Sequence, residues 1–77
     1  MLSAVQKARV LYAYDATSGD ELTLRVGETI VIIEKELEDP GWWKGDLNGK
    51  IGVFPDNFVE LIPVSEEVSH PVIIHPV

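Results

Sequence analysis

Along this chain apolar and polar positions alternate in short stretches, and turn-forming residues interrupt the alternation every 8–12 residues or so. "ARVLYAYDA", Ala8 to Ala16, is rich in β-branched and aromatic residues and predicts a strand. "TSGDE" has loop chemistry. "ELTLRVGETIVIIEKE" opens with Leu22 and Leu24 on one face and Thr23 and Arg25 on the other. Gly27 then interrupts at a point that suits a turn with positive φ. The apolar run Ile30 to Ile33, bounded by charge, favours strand over helix because every residue in it is β-branched. "EKELEDPG" predicts an acidic loop ending in Pro40-Gly41. "WWKGDL" and "KIGVF" flank Asn48-Gly49, the strongest short-range signal for a two-residue hairpin. "PDNF" fits one tight helical turn led by Pro55, and "VELIPV" a last short strand.

No uninterrupted stripe with a 3.6-residue period spans this pattern, so a long helix is disfavoured. The prediction is an all-β fold: a small five-stranded barrel, two packed antiparallel sheets, with a short 3-10 turn before the last strand. Closing the strands on one another limits exposed sheet edges. Leu22, Leu24, Ile30, Ile32 and Val53 are expected to supply much of the core. With 77 residues the chain is long enough for one domain. Residues 1–7 read as an N-terminal extension, 8–62 as the domain, and 63–77 as a C-terminal tail or linker, in which two prolines and two histidines flank Val72, Ile73 and Ile74.

Charge and composition narrow the function. Thirteen acids against six bases give a net charge of −7. Such a surface repels phosphate, so nucleic acid and anionic membranes are poor partners, whereas a cationic partner suits it. The acids concentrate in two segments: Asp15, Asp20 and Glu21, then Glu34, Glu36, Glu38 and Asp39. There is no cysteine, which removes disulfides and thiolate metal sites. The longest apolar runs are too short to cross a bilayer as a helix, and "MLSAVQKARV" lacks the layout of a signal peptide. The expectation is a soluble, cytoplasmic, monomeric domain without membrane insertion.

Nothing points to catalysis. His70 and His75 are the only histidines, and their spacing does not put them on one helix face. Ser3, Ser18, Ser65 and Ser69 have no histidine at an interpretable position, and no glycine-rich phosphate loop is present. The chain is expected to be a non-enzyme without metal or cofactor.

The aromatic residues are more informative. Tyr12 and Tyr14 lie two apart and are expected to share a strand face. Trp42 and Trp43 are adjacent, so in a strand they point to opposite faces. Tyr and Trp combine an apolar body with a polar tip and suit a surface that grips an extended ligand; the alternative is that they are core.

These residues carry a resemblance. "VLYAYDA" resembles the ALYDY motif of SH3 domains, and "DELTLRVGE", "GWWKG" and "GVFPDNF" followed by "VELI" continue it in the same order, over roughly Ala8 to Ile62. The sequence is most similar to SH3 domains of multi-SH3 endocytic and cytoskeletal adaptors. It departs at Ala13, where ALYDY has Asp, and at Phe58, where many members have Tyr.

The resemblance implies a shallow groove for proline-rich peptides in the polyproline II conformation, with affinity on the order of micromolar. Tyr12 and Phe58 would frame one proline pocket, and Tyr14, Trp42, Pro55 and Phe58 the next. The indole N–H of Trp42 and the side chain of Asn57 would donate to ligand carbonyls. An Arg or Lys beside the prolines would enter an acidic site of Glu21, Asp20 and Asp15, faced by Glu36, Glu38 and Asp39, and stack on Trp42. Among SH3 domains a Phe at the Phe58 position also accompanies ubiquitin binding in some members, which makes ubiquitin a second expected partner. A further alternative is self-association, with "HPVIIHP" of the tail occupying the groove or a sheet edge.

Overall fold

In the computed structural model, which describes residues 5–63, five strands and one 3-10 turn follow one another: β1 (Lys7–Val10), β2 (Thr29–Glu34), β3 (Trp42–Leu47), β4 (Lys50–Pro55), the turn Asp56–Phe58, and β5 (Val59–Ile62). All pairings are antiparallel, in the order β4-β3-β2-β1-β5. The expected all-β, five-stranded architecture with a 3-10 turn before the last strand is therefore observed. The strands form one five-stranded sheet rather than two separate ones, with β2 at its centre, pairing with β1 through Ala8↔Ile30 and with β3 through Val31↔Asp46. β1 starts at Lys7, one residue ahead of the expected domain boundary. The tail residues from Val64 onward, with their histidines and apolar run, lie outside the described residues.

Turn chemistry sets the register. Asn48 (φ 53°) and Gly49 (φ 96°) both adopt positive φ, the requirement of a two-residue turn whose twist matches that of its strands. Leu47↔Lys50 closes the hairpin, and Asp46 Oδ1 accepts a hydrogen bond from Gly49 N at 2.9 Å. Gly27 (φ 93°) turns the chain into β2, and its N–H donates to the Val10 carbonyl at 2.9 Å.

The core consists of Ala8, Val10, Leu22, Leu24, Ile30, Leu47, Phe54 and Val59. Phe54, with no exposed surface, is its largest fully buried side chain. Leu22 and Leu24 share the buried face, as their spacing predicts. Val53 does not belong to the core: alternation along β4 turns Gly52 and Phe54 inward and leaves Val53 half-buried on the other side. Ile32 is also only half-buried, packed against the core from its margin.

Two glycines admit close packing. A β-carbon on Gly45 would lie 2.5 Å from Ile30 Cγ2 and 2.9 Å from the Val31 carbonyl. On Gly52 it would lie 2.8 Å from the Asp20 carbonyl and 2.9 Å from Leu22 Cδ2. Gly52 is thus where the long β1–β2 loop lies against β4, an approach fixed by Leu22 N donating to the Val53 carbonyl (2.8 Å) and Val53 N to the Asp20 carbonyl (2.9 Å).

The strand expected over Ala8–Ala16 ends at Val10. A strand persists only while a neighbour continues the ladder. Val10 pairs with Val59, the first residue of β5, and the chain before Val59 is the 3-10 turn. Beyond Val10, Leu11 N and Tyr12 N both donate to the Phe58 carbonyl, at 2.8 and 3.2 Å. Tyr14 instead folds back on Leu24, each N–H donating to the other's carbonyl, at 3.0 and 2.8 Å. Tyr12 and Tyr14 are therefore loop residues, and their common surface has a different origin from the one expected.

Candidate functional site

The aromatic residues meet in a row. Tyr12 approaches Phe58 edge to face with ring centroids 6.2 Å apart, Phe58 approaches Tyr14 at 5.6 Å, and Tyr14 approaches Trp42 at 6.1 Å. Interplanar angles of 74–87° make each pair T-shaped, the favourable arrangement for ring quadrupoles. Three separate parts of the chain converge here: the first segment of the β1–β2 loop, the start of β3 and the 3-10 turn. The Phe58 carbonyl anchors the Tyr12 segment, and Asp56 N donates to the Gly41 carbonyl at 2.9 Å, holding the 3-10 turn beside the base of β3. Tyr12 remains 61% exposed, whereas Tyr14, Trp42 and Phe58 are half-buried. Pro55 is buried and lies opposite Trp42 in the β3–β4 ladder, and Asn57 is exposed beside Phe58.

The tryptophan pair divides as adjacency in a strand requires. Trp42 sides with Tyr14. Trp43 packs edge to face on Phe54 at 6.4 Å, under the ammonium of Lys35 at 5.2 Å from its ring centroid.

At the Trp42 end of the row opens a pocket of about 260 Å³ lined by Ser18, Asp20, Glu21, Leu37, Asp39, Trp42 and Val53. Its rim is set by the turn at Asp39–Trp42, where Gly41 (φ 90°) follows Pro40 and Trp42 N donates to the Asp39 carbonyl at 3.3 Å. Of the six acids expected to receive a cation, Asp20, Glu21 and Asp39 line this pocket. Asp15, Glu36 and Glu38 are exposed and do not line it. Leu37, between the two glutamates, turns to the pocket in their place. Sequence reasoning missed Leu37, although a lone apolar residue in an acidic run was visible in "ELED". It also missed Val53 as a wall.

Glu21 is the most constrained of these acids. Its Oε1 accepts from the Tyr14 hydroxyl at 2.7 Å, from Thr17 N at 2.8 Å and from Thr17 Oγ1 at 3.0 Å. The Thr17 backbone N–H, followed by the Tyr14 hydroxyl, holds its carboxyl below the ordinary glutamate value. The hydrogen bond to Glu21 in turn raises the Tyr14 phenol above its ordinary value. Asp20 Oδ1 accepts from Ser18 Oγ at 2.7 Å. Among the described residues no group of His, Cys, Asp and Glu side chains is arranged to hold a metal ion, and no helix is long and apolar enough to cross a membrane.

The row of partly exposed aromatics thus ends in an acid-lined pocket. The sequence profile described as "Variant SH3 domain" matches residues 10–60. This chain belongs to the SH3 family. Members of the family are interaction modules and not catalysts, in keeping with the sequence reading. Human CD2-associated protein is 54% identical over 57 residues, 74% of this chain, and human SH3 domain-containing kinase-binding protein 1 is 51% identical over 55 residues, 71% of this chain. The alignments span only 9% and 8% of those proteins. Among solved structures, the C-terminal SH3 domain of myosin IB from Entamoeba histolytica, bound to EhFP10(GEF) peptide, superposes with a TM-score of 0.71 at 42% identity, covering 80% of this chain and all of that one. The similarity thus extends from CD2-associated protein and SH3 domain-containing kinase-binding protein 1 to the SH3 domain of a myosin.

Proposed function

We propose that this SH3 domain, over residues 8–62, is a protein–protein interaction module of a cytoplasmic signalling or endocytic adaptor, binding proline-rich segments that carry a flanking Arg or Lys. The observation that carries this reading is the continuity of the Tyr12–Phe58–Tyr14–Trp42 row with the pocket of Asp20, Glu21 and Asp39. A polyproline II ligand is already extended, so it loses little entropy on docking across such a row. Its prolines would lie between Tyr12 and Phe58 and between Phe58 and Trp42, with Pro55 beneath and Asn57 donating to a ligand carbonyl. Its cationic side chain would place an apolar stem on Leu37, Val53 and Trp42 and its head among the acids. The myosin IB relative is bound to a peptide, which supports peptide binding by this domain. The test is calorimetric titration with a proline-rich peptide containing Arg and with its Arg→Ala variant. Tighter binding of the Arg peptide is expected, and equal binding of the two rejects the cation site.

A second reading is favoured by Phe58, whose ring presents no hydroxyl to a ligand. We infer that the same surface accepts ubiquitin, whose recognition would use the apolar ring. Monoubiquitin titration monitored by amide chemical shifts tests it; shifts absent from Tyr12, Trp42 and Phe58 reject it.

A further inference from the structure

The acids of the pocket differ in how firmly they are held. Glu21 alone has three donors on a single oxygen, and two of them come from one residue, Thr17. Thr17 does not line the pocket, and its own side chain is exposed. Nothing in the peptide-binding reading gives it a part. We infer that Thr17 is a positioning residue: by engaging Oε1 of Glu21 through both its backbone N–H and its hydroxyl, it fixes the carboxylate so that Oε2 is the oxygen offered to a ligand cation. The inference rests on the peptide-binding reading for its ligand and on the hydrogen-bond geometry alone for its mechanism.

The reasoning is one of acceptor capacity. A carboxylate oxygen offers two lone-pair directions, and Oε1 already receives three donors at 2.7–3.0 Å. An incoming guanidinium therefore cannot grip both oxygens of Glu21 as a fork. It takes one N–H to Oε2 and directs another to a different acceptor on the pocket wall, Asp39 or Asp20. A glutamate side chain with free rotation in an exposed loop would lose that orientation and its rotamer entropy on binding; here the loss is already met within the free domain. The same lock reaches the aromatic row, because the third donor on Oε1 is the hydroxyl of Tyr14, whose ring touches Trp42 and Phe58. The groups that face Glu21 are Tyr14, Thr17, Ser18, Asp20 and Asp39, with no cation among the residues lining the pocket. Its ionisation is thus sustained by hydrogen bonds, not by an ion pair.

The experiment compares Thr17→Val, which removes the hydroxyl at nearly constant shape, with Thr17→Ser, which keeps it. Two readings are taken on each: the affinity for the Arg peptide and for its Arg→Ala variant, and the Glu21 carboxyl titration by side-chain NMR. Thr17→Val is expected to weaken the Arg peptide by about three- to tenfold, to leave the Ala peptide within about twofold, and to raise the Glu21 midpoint; Thr17→Ser is expected to restore both. Equal weakening of both peptides, an unmoved Glu21 midpoint, or failure of Ser to restore it overturns the inference. If the unaltered domain shows no preference for Arg, the functional reading fails, and the Glu21 titration still decides whether Thr17 holds the carboxylate.

Discussion

The Tyr14 hydroxyl donates to the Glu21 carboxylate across 2.7 Å, joining an aromatic surface and an acidic pocket through one proton. Because this bond and those from Thr17 favour ionised Glu21, its folded-state value lies below the ordinary 4.5. Stability from this group is therefore present above pH 4.5 and disappears as pH falls through the lower, folded-state value. Tyr14 has the opposite sign of shift: its contribution is present below pH 10.0 and disappears as pH rises through its raised value. Tyr14→Phe should flatten the stability profile at both ends, measured by urea unfolding across the pH range. A profile parallel to that of the unaltered domain would show that the bond does not persist in solution.

The two tryptophans should separate binding from folding. Trp42→Ala is expected to weaken a proline-rich peptide by at least about tenfold while the melting temperature stays within a few degrees. Trp43→Ala removes packing from Phe54 and should lower stability by about 2–3 kcal/mol. Melting curves and peptide titrations on both variants check this, and a Trp42 variant that unfolds would assign that ring to the scaffold.

Gly52→Ala should destabilise by about 1–3 kcal/mol, since the added methyl meets the Asp20 carbonyl at 2.8 Å and backbone cannot move aside as a flexible side chain can. The same substitution at Gly45, against Val31, should have an effect of similar size. Chemical denaturation reads both. The Gly52 variant should also lose peptide affinity, because the loop carrying Glu21 is the element displaced.

Phe58→Tyr should raise affinity for a proline-rich peptide by about two- to tenfold, through one added neutral hydrogen bond, and reduce ubiquitin binding. Parallel titration with both ligands gives the answer. Movement in the same direction for both would indicate that the hydroxyl does not discriminate between them.

What could be read from the sequence was whatever local chemistry decides. Asn48-Gly49 fixed its own turn, and Leu22 with Leu24 declared a buried face by spacing alone. The tryptophans were sorted by adjacency within one strand. What escaped was decided by distant partners. Ala8–Ala16 has strand composition throughout, yet the ladder stops at Val10 because its neighbour begins at Val59. Val53 is as apolar as a core residue, but alternation relative to Phe54 places it in the pocket wall. Glu36 and Glu38 carry charge in the same loop as the expected Asp39, and only the path of that loop decides that Asp39 and the unexpected Leu37 line the pocket while the two glutamates do not. Thr17 gave no signal at all, since a lone threonine in a polar loop announces no partner.

The adjacency of the first and last strands has a mechanical consequence. Lys7 opens β1 and lies directly opposite Ile62, which closes β5, so polypeptide entering and leaving the domain does so at one end of a single ladder. Tension carried along the flanking chain would pull across the hydrogen bonds and load the β1–β5 pairs one at a time, beginning at Lys7↔Ile62 and passing to Ala8↔Leu61 and Arg9↔Glu60. The third of these pairs is braced by the Arg9–Glu60 ion pair at 3.2 Å. Next in line is Val10↔Val59, immediately after the 3-10 turn that holds Phe58, so a stretched chain would peel its last strand up to the edge of the aromatic row before that row itself is strained.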